Sequence, residues 1–201
     1  MKKKILAIGD IHQDSSLVKK IAEKVEKEKI DFVILAGDLT FADKSIKYII
    51  GPIVKSGTKV FILPGNHESL ATIDFLTESY ENTFNIHGYG FKEGYVGIFG
   101  AGGANIGINR LSETELFNLL KKGFEKVKDS KVKIMVTHMH PKNSKSEIFG
   151  FEGSEAIRKA IEKFKPDIAI HAHIHEAGGI EEIVGKTRVF NVSRKERVFE
   201  I

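Results

Sequence analysis

Five times along the chain, a run of apolar and mostly β-branched residues ends in a short polar segment built from aspartate, asparagine and histidine. The segments are Asp10-Ile11-His12, Gly37-Asp38, Gly65-Asn66-His67-Glu68, His138 and His173-Ile174-His175. Apolar runs of this kind form buried strands. In an open α/β sheet, ligands bind at the carboxyl ends of the strands. The pattern therefore demands a fold in which several strands end side by side and deliver nitrogen and oxygen donors to one place.

The donors suit a pair of metal ions. In extended chain, side chains at i and i+2 point the same way, so Asp10 can act with His12, and His173 with His175. Mixed imidazole and carboxylate ligands favour divalent transition metals over magnesium or calcium. A two-metal site needs a bridging carboxylate. Asp38, the acid directly after the buried run at 32–36, is the natural bridge. Asn66 offers a neutral carbonyl oxygen, and His138 follows the strand-like run at 134–137. A lone aspartate after a strand is ordinarily a helix cap. Asp10 and Asp38 are read as ligands because the other motifs accompany them, whereas Asp14, Asp31, Asp43 and Asp167 are read as caps or strand entries.

Composition narrows the class. The chain has 201 residues and no cysteine, which removes disulfides, thiolate ligands and a cysteine nucleophile and fits a reducing, cytoplasmic compartment. No stretch approaches a membrane span, and the basic start at 1–4 runs straight into a first strand rather than a signal sequence. The net charge of +4 could attract nucleic acid. The lysines, however, are interleaved with glutamates, as at 23–29, which marks a solvated helix face and makes nucleic acid an unfavoured partner. No pattern specifies an oligomeric state.

The element order is that of one α/β domain over 1–201. Strands are expected at 4–9, 31–37, 59–63, 133–137 and 168–171. Helices are expected from Ser15 or Ser16 to Lys29, at 44–55, at 68–80, from a capping box at 112–115 to Lys128, and at 154–165, where Pro166 stops the chain. The glycine-rich stretch 84–99 reads as two short strands. The tail reads as short antiparallel strands at 180–184, 188–192 and 197–201. Two phosphate-loop look-alikes fail. Gly185-Lys186-Thr187 has isoleucine at 180 where glycine is required, and Gly100-Ala101-Gly102-Gly103 places Asn105 at the third glycine. Both are read as turns.

Taken in order, Asp-x-His, Gly-Asp, Gly-Asn-His-Glu, a histidine and His-x-His resemble the motifs of the calcineurin-like metallophosphoesterase superfamily. The match spans Gly9 to Glu176, and the chain is similar to the small prokaryotic phosphodiesterases of that group. The resemblance implies a four-layer αββα sandwich, with two mixed β-sheets flanked by helices. It implies that Asp10, His12 and His175 hold one metal, that Asn66, His138 and His173 hold the second, and that Asp38 bridges them. Manganese is the first expectation for the pair, with iron, zinc, nickel or cobalt as alternatives. His67 is the implied catalytic residue, touching the scissile phosphate and protonating the leaving group. A metal-bridging hydroxide is the implied nucleophile, and the implied substrate is a small phosphoester, with diesters favoured. A nuclease acting on DNA or RNA ends and a non-catalytic scaffold are the rival readings.

Specificity is expected from loops. Arg110, Asn105 and His140 are the candidate substrate contacts, Arg110 because a guanidinium grips phosphate with two hydrogen bonds. His140 is otherwise expected behind the ligands or at the surface, His171 in a supporting role, and His87 in a surface turn. Ala172 stands where the family usually has glycine, which predicts a slightly altered loop with the site intact.

Overall fold

The structure is a computed structural model and describes residues 2–201. Two sheets face each other. The first has five strands in the order β11-β1-β2-β3-β4, the second six in the order β5-β6-β7-β8-β10-β9. In the first sheet, β1 (Lys4–Ile8), β2 (Phe32–Ala36), β3 (Lys59–Leu63) and β4 (Thr83–Asn85) run parallel, and β11 (Arg197–Glu200) pairs antiparallel with β1. In the second, β6 (Val96–Ala101), β7 (Val132–Thr137), β8 (Ile168–His171) and β10 (Thr187–Asn191) are parallel. β5 (Gly90–Glu93) and β9 (Glu181–Val184) are the antiparallel edges.

Alternation along each strand builds the layers. Ile5 and Ala7 of β1, with Phe32 and Ile34 of β2, face the opposite sheet and meet Ile98, Ile134, Val136 and Ile170 there. Their neighbours Leu6, Ile8, Val33 and Leu35 face outward and are covered by α1 (Ser15–Glu28), α2 (Gly51–Val54) and α3 (Leu70–Ser79). On the other side, Phe99, Met135, Ala169 and Val189 are covered by α4 (Glu113–Val127) and α5 (Glu155–Phe164). The central strands are thus buried on both faces, which is why they read as unbroken apolar runs. The result is the expected αββα sandwich.

Four details depart from expectation. The helix foreseen at 44–55 shrinks to Gly51–Val54, preceded by turns in which Ala42, Asp43 and Tyr48 adopt positive φ. Pro52 explains it: its ring would clash with the carbonyl of residue 48, so the helix can only start beside it. The stretch 84–99 holds parts of three strands, because Gly88 (φ 74°) and Gly94 (φ 63°) each open a turn. The tail is not a simple meander. β9 and β10 form a hairpin, but β10 lies parallel to β8, and β11 crosses to the first sheet. Finally, of the cap candidates for α1, it is Asp14, and not Ser15 or Ser16, that accepts the Leu17 N–H, at 3.0 Å.

Candidate metal centre

All five polar segments lie at the carboxyl ends of parallel strands: β1, β2 and β3 in one sheet, β7 and β8 in the other. The two sheets present these ends together. Asp10 (φ 55°), His12 (φ 45°), Asp38 (φ 50°) and His173 (φ 74°) all occupy the left-handed region, which costs a non-glycine residue energy and is held by its surroundings. Here the holding groups are visible. The 10–13 turn is laced to 37–39 by Asp10 N–H to Gly37 O, His12 N–H to Asp38 O and Gln13 N–H to Leu39 O, each 2.9–3.0 Å. The His173 N–H donates to Asp10 Oδ2 at 2.9 Å, and the His67 N–H to Asp38 Oδ1 at 3.0 Å.

The donor atoms fall into overlapping groups. Asp10, His12 and His175 converge within 4.8 Å, as do Asp38, His138 and His173, and as do His12, Asp38 and His67. Asn66 Oδ1 joins the second group, 3.1 Å from His138 Nε2. Asp38 therefore stands between the two sets: its Oδ2 is 3.6 Å from His12 Nε2 and 3.5 Å from His138 Nε2.

Whether these residues suit cations is answered by their protons. His138 Nδ1 lies 2.9 Å from Ala36 O, and His12 Nδ1 lies 3.0 Å from Thr40 O. A carbonyl only accepts, so both rings donate from Nδ1 and turn Nε2 inward, as metal-bound histidines do. The inward nitrogens then face one another: His12 Nε2 to His175 Nε2 at 3.3 Å, His138 Nε2 to His173 Nδ1 at 3.2 Å. Asp10 Oδ1 is buried beside them with no hydrogen-bond partner. Burial opposes a charge on His138, yet the Asp38 and Asp10 carboxylates push its pKa up to about 9. Burial likewise raises Asp38, but the charge and hydrogen bond of His138 outweigh it and hold the carboxyl well below its usual range. The site calls for positive charge at its centre. His173 is pushed down to about 4, chiefly by burial, so it stays neutral and able to ligate.

Glu68 supports the centre from behind, and only its place in the motif hinted at it. Its buried carboxylate accepts the Thr40 N–H (2.6 Å), the Thr40 hydroxyl (2.9 Å) and the Gly65 N–H (2.9 Å), clamping the loop after β2 to the loop after β3. Burial, aided by the Asp38 charge, pushes its pKa up to about 7. Phe41 stacks on His67, with ring centres 5.0 Å apart, and meets His12 edge-on at 6.0 Å. Arg194 bonds the Asp10 carbonyl (3.3 Å) and Asp14 (3.0 Å). Neither residue belongs to a motif, and both are brought in by chain folding alone.

The remaining candidates scatter. Asn105 and His140 border a cleft beside His173 and His175. Arg110 is exposed and does not border it. His140 is fully buried and donates to Phe151 O at 3.1 Å. His171 is buried under the site, and its pKa is pushed down to about 3 by burial above all. The expectation for His87 is overturned: it is buried, and its Nδ1 accepts the Gly102 N–H at 3.1 Å. The glycines around it suggested a surface turn, but β6 packs over that turn. Ala172 is tolerated because Gly9 faces it: a Cβ on Gly9 would come within 2.5 Å of the Ala172 methyl.

Two sheets flanked by helices, with aspartate and histidine donors converging at their strand ends, are what a metallophosphoesterase requires. The model of the calcineurin-like phosphoesterase family matches residues 3–177, and the chain belongs to that family. Its members hydrolyse phosphoesters with divalent metal ions. No curated protein sequence matches the chain. Among solved structures, TT1561 of Thermus thermophilus superposes with a TM-score of 0.78 at 18% identity, covering 99% of each chain. A phosphatase of Mycoplasma pneumoniae gives 0.63 at 17% identity, over 96% of this chain and 72% of that one. An archaeal phosphodiesterase gives 0.57 at 14% identity, over 98% and 99%. At such identities the likeness speaks for the fold. No helix among the described residues is long and apolar enough to cross a membrane.

Proposed function

We propose that the chain is a phosphoesterase with a two-cation centre that acts on small phosphoesters, diesters before monoesters. Asp10, His12 and His175 would hold one cation, Asn66, His138 and His173 the other, and Asp38 would bridge them. Manganese is the first candidate. The observation that carries the reading is the convergence of imidazole nitrogens and carboxylate oxygens from five strand ends, with Asp38 Oδ2 within 3.6 Å of a ring nitrogen from either set. Two bound divalent cations supply Lewis acidity to the phosphoryl oxygens and acidify water to near neutrality.

The chain's own groups do the rest. His67 keeps 30% of its side chain exposed, and its Nε2 stands 3.9 Å from Asp38 Oδ2. It is free to meet a departing oxygen and give it a proton. Phe41 stacked on the ring fixes its plane. No covalent intermediate on the protein is required.

The test uses metal-stripped protein. Calorimetry should show two equivalents of manganese bound, and bis-p-nitrophenyl phosphate should be hydrolysed only after loading. Asp38→Asn should cost at least about 10²-fold in kcat, the scale of a lost transition-state electrostatic contact, with weakened uptake of both ions. One equivalent bound, or full turnover in the variant, would overturn the two-cation reading.

A further inference from the structure

Beside the donor atoms lies a cleft of about 430 Å³, large enough for a drug-sized organic group. It starts at His173 and His175, and neither His67 nor Phe41 borders it. Those two stand against His12 instead. Two side chains wall the cleft: Ile106, 55% exposed, and Phe151, 54% exposed. Together with the cleft they border, they offer apolar surface that a ligand could cover.

Both walls are fastened to the site. On one side, the backbone at 107 lies so close to Asn66 that a Cβ there would meet its carbonyl at 2.4 Å, and the Ile108 N–H donates to the same oxygen at 2.9 Å. On the other side, the chain around Phe151 is pinned by His140 Nε2–H to Phe151 O (3.1 Å), Gly153 N–H to Glu147 (2.9 Å) and Ser154 N–H to His140 O (2.9 Å). The cleft is preformed. Its remaining border includes two carboxylates, Glu152 and Glu176. Glu152 is paired with Lys142 at 3.0 Å.

We infer that this cleft holds the ester group that stays on phosphorus during hydrolysis of a phosphodiester, and that this group is uncharged and apolar or planar. The inference rests on the two-cation hydrolase proposed above. In an in-line displacement the leaving oxygen departs opposite the attacking one, and a second ester group points sideways from that axis. His67 attends the leaving oxygen. The cleft, which His67 does not border, takes the sideways group. Water contributes its oxygen to phosphorus, the ester P–O bond breaks, and the leaving oxygen takes a proton. The product is a phosphomonoester still carrying the group in the cleft. Lys142 offsets the charge of Glu152, and Glu176 at the border repels a second phosphate, so a nucleic-acid strand, whose next phosphate would fall nearby, is a poor occupant.

The test keeps one leaving group and varies the retained one. Manganese-loaded protein is assayed with p-nitrophenyl phosphate, methyl p-nitrophenyl phosphate and bis-p-nitrophenyl phosphate, for the wild type, Ile106→Ala, Phe151→Ala and the double variant. Both side chains are exposed, so the fold is not at stake. The decisive quantity is the kcat/KM ratio of aryl to methyl diester, because comparing it between variants cancels the intrinsic reactivity of the esters. The double variant should lower that ratio about tenfold, the scale of a lost apolar contact in a specificity pocket, with the change in KM. Metal-dependent turnover with an unchanged ratio would overturn the cleft assignment and leave the hydrolase standing. Absence of metal-dependent turnover with all three esters would overturn both.

Discussion

His67 differs from His12 and His138 in what holds it. His12 and His138 are each anchored by a backbone carbonyl at Nδ1, whereas His67 is held by ring stacking on Phe41. Anchoring suits a ligand that must not turn, and a looser hold suits a group that meets substrate. Replacing His67 should therefore follow the leaving group. His67→Ala should slow esters of alkyl alcohols about 10²–10⁴-fold, the usual worth of a general acid. Esters of p-nitrophenol, which departs without a proton, should be slowed far less. Rates measured across a series of leaving-group acidities check this, and equal losses throughout the series would remove His67 from the proton-transfer role.

At the scale of elements, the centre depends on how closely the loops after β2 and β3 approach. Gly65 carries that approach. A Cβ there would sit 1.9 Å from Asp38 Oδ1 and 2.4 Å from the Asp38 nitrogen, both atoms of the residue proposed as the bridge. Backbone cannot move aside as a flexible side chain does. Gly65→Ala should thus cost about 1–3 kcal/mol of stability through overpacking and weaken metal uptake as well, read by denaturant melts and calorimetry. Helix ends are secured in a comparable, non-local way. Glu113, in the first turn of α4, accepts both the Ser154 hydroxyl (2.7 Å) and the Ala156 N–H (2.6 Å), so one helix helps cap the next. Ser112 and Glu115 form the reciprocal capping box that their spacing announces.

For the whole molecule, the packing of His87 links folding to pH. Its ring lies where the chain leaves β4 for the second sheet, with a bridge to Gly100 of β6. Burial pushes its pKa down from 6.5 to about 4. A histidine held neutral in the folded state favours folding fully above the unfolded value, and that contribution is lost as pH falls from about 6.5 toward 4. The loss amounts to roughly 3 kcal/mol from the shift. Chemical denaturation at pH 7 and pH 4.5 should show a smaller drop for His87→Gln than for the wild type. Equal drops would mean that other groups carry the acid sensitivity.

Much of the candidate centre was legible because each candidate donor follows directly on the end of a strand. A strand's apolar run is local, the polar residue after it is local, and Asp10, His12, Asp38, Asn66, His138, His173 and His175 could all be marked without knowing how strands pair. The capping box at 112–115 and the stop at Pro166 were legible for the same reason. What lay out of reach was whatever depends on distant chain. β11 joins β1 across nearly the whole sequence, and His87 is buried because β6 packs over its turn. Glu68 acts through Thr40, Arg194 reaches Asp10, and the cleft exists because the chain around Asn105 and around Phe151 comes together beside His173. By itself the sequence determined which residues could bind metal and which strands carry them, since hydrophobic period and donor chemistry are written residue by residue. Only the tertiary structure decided which faces are covered, which loops touch and where a cleft opens beside the donors, since those follow from contacts between segments that no local pattern encodes.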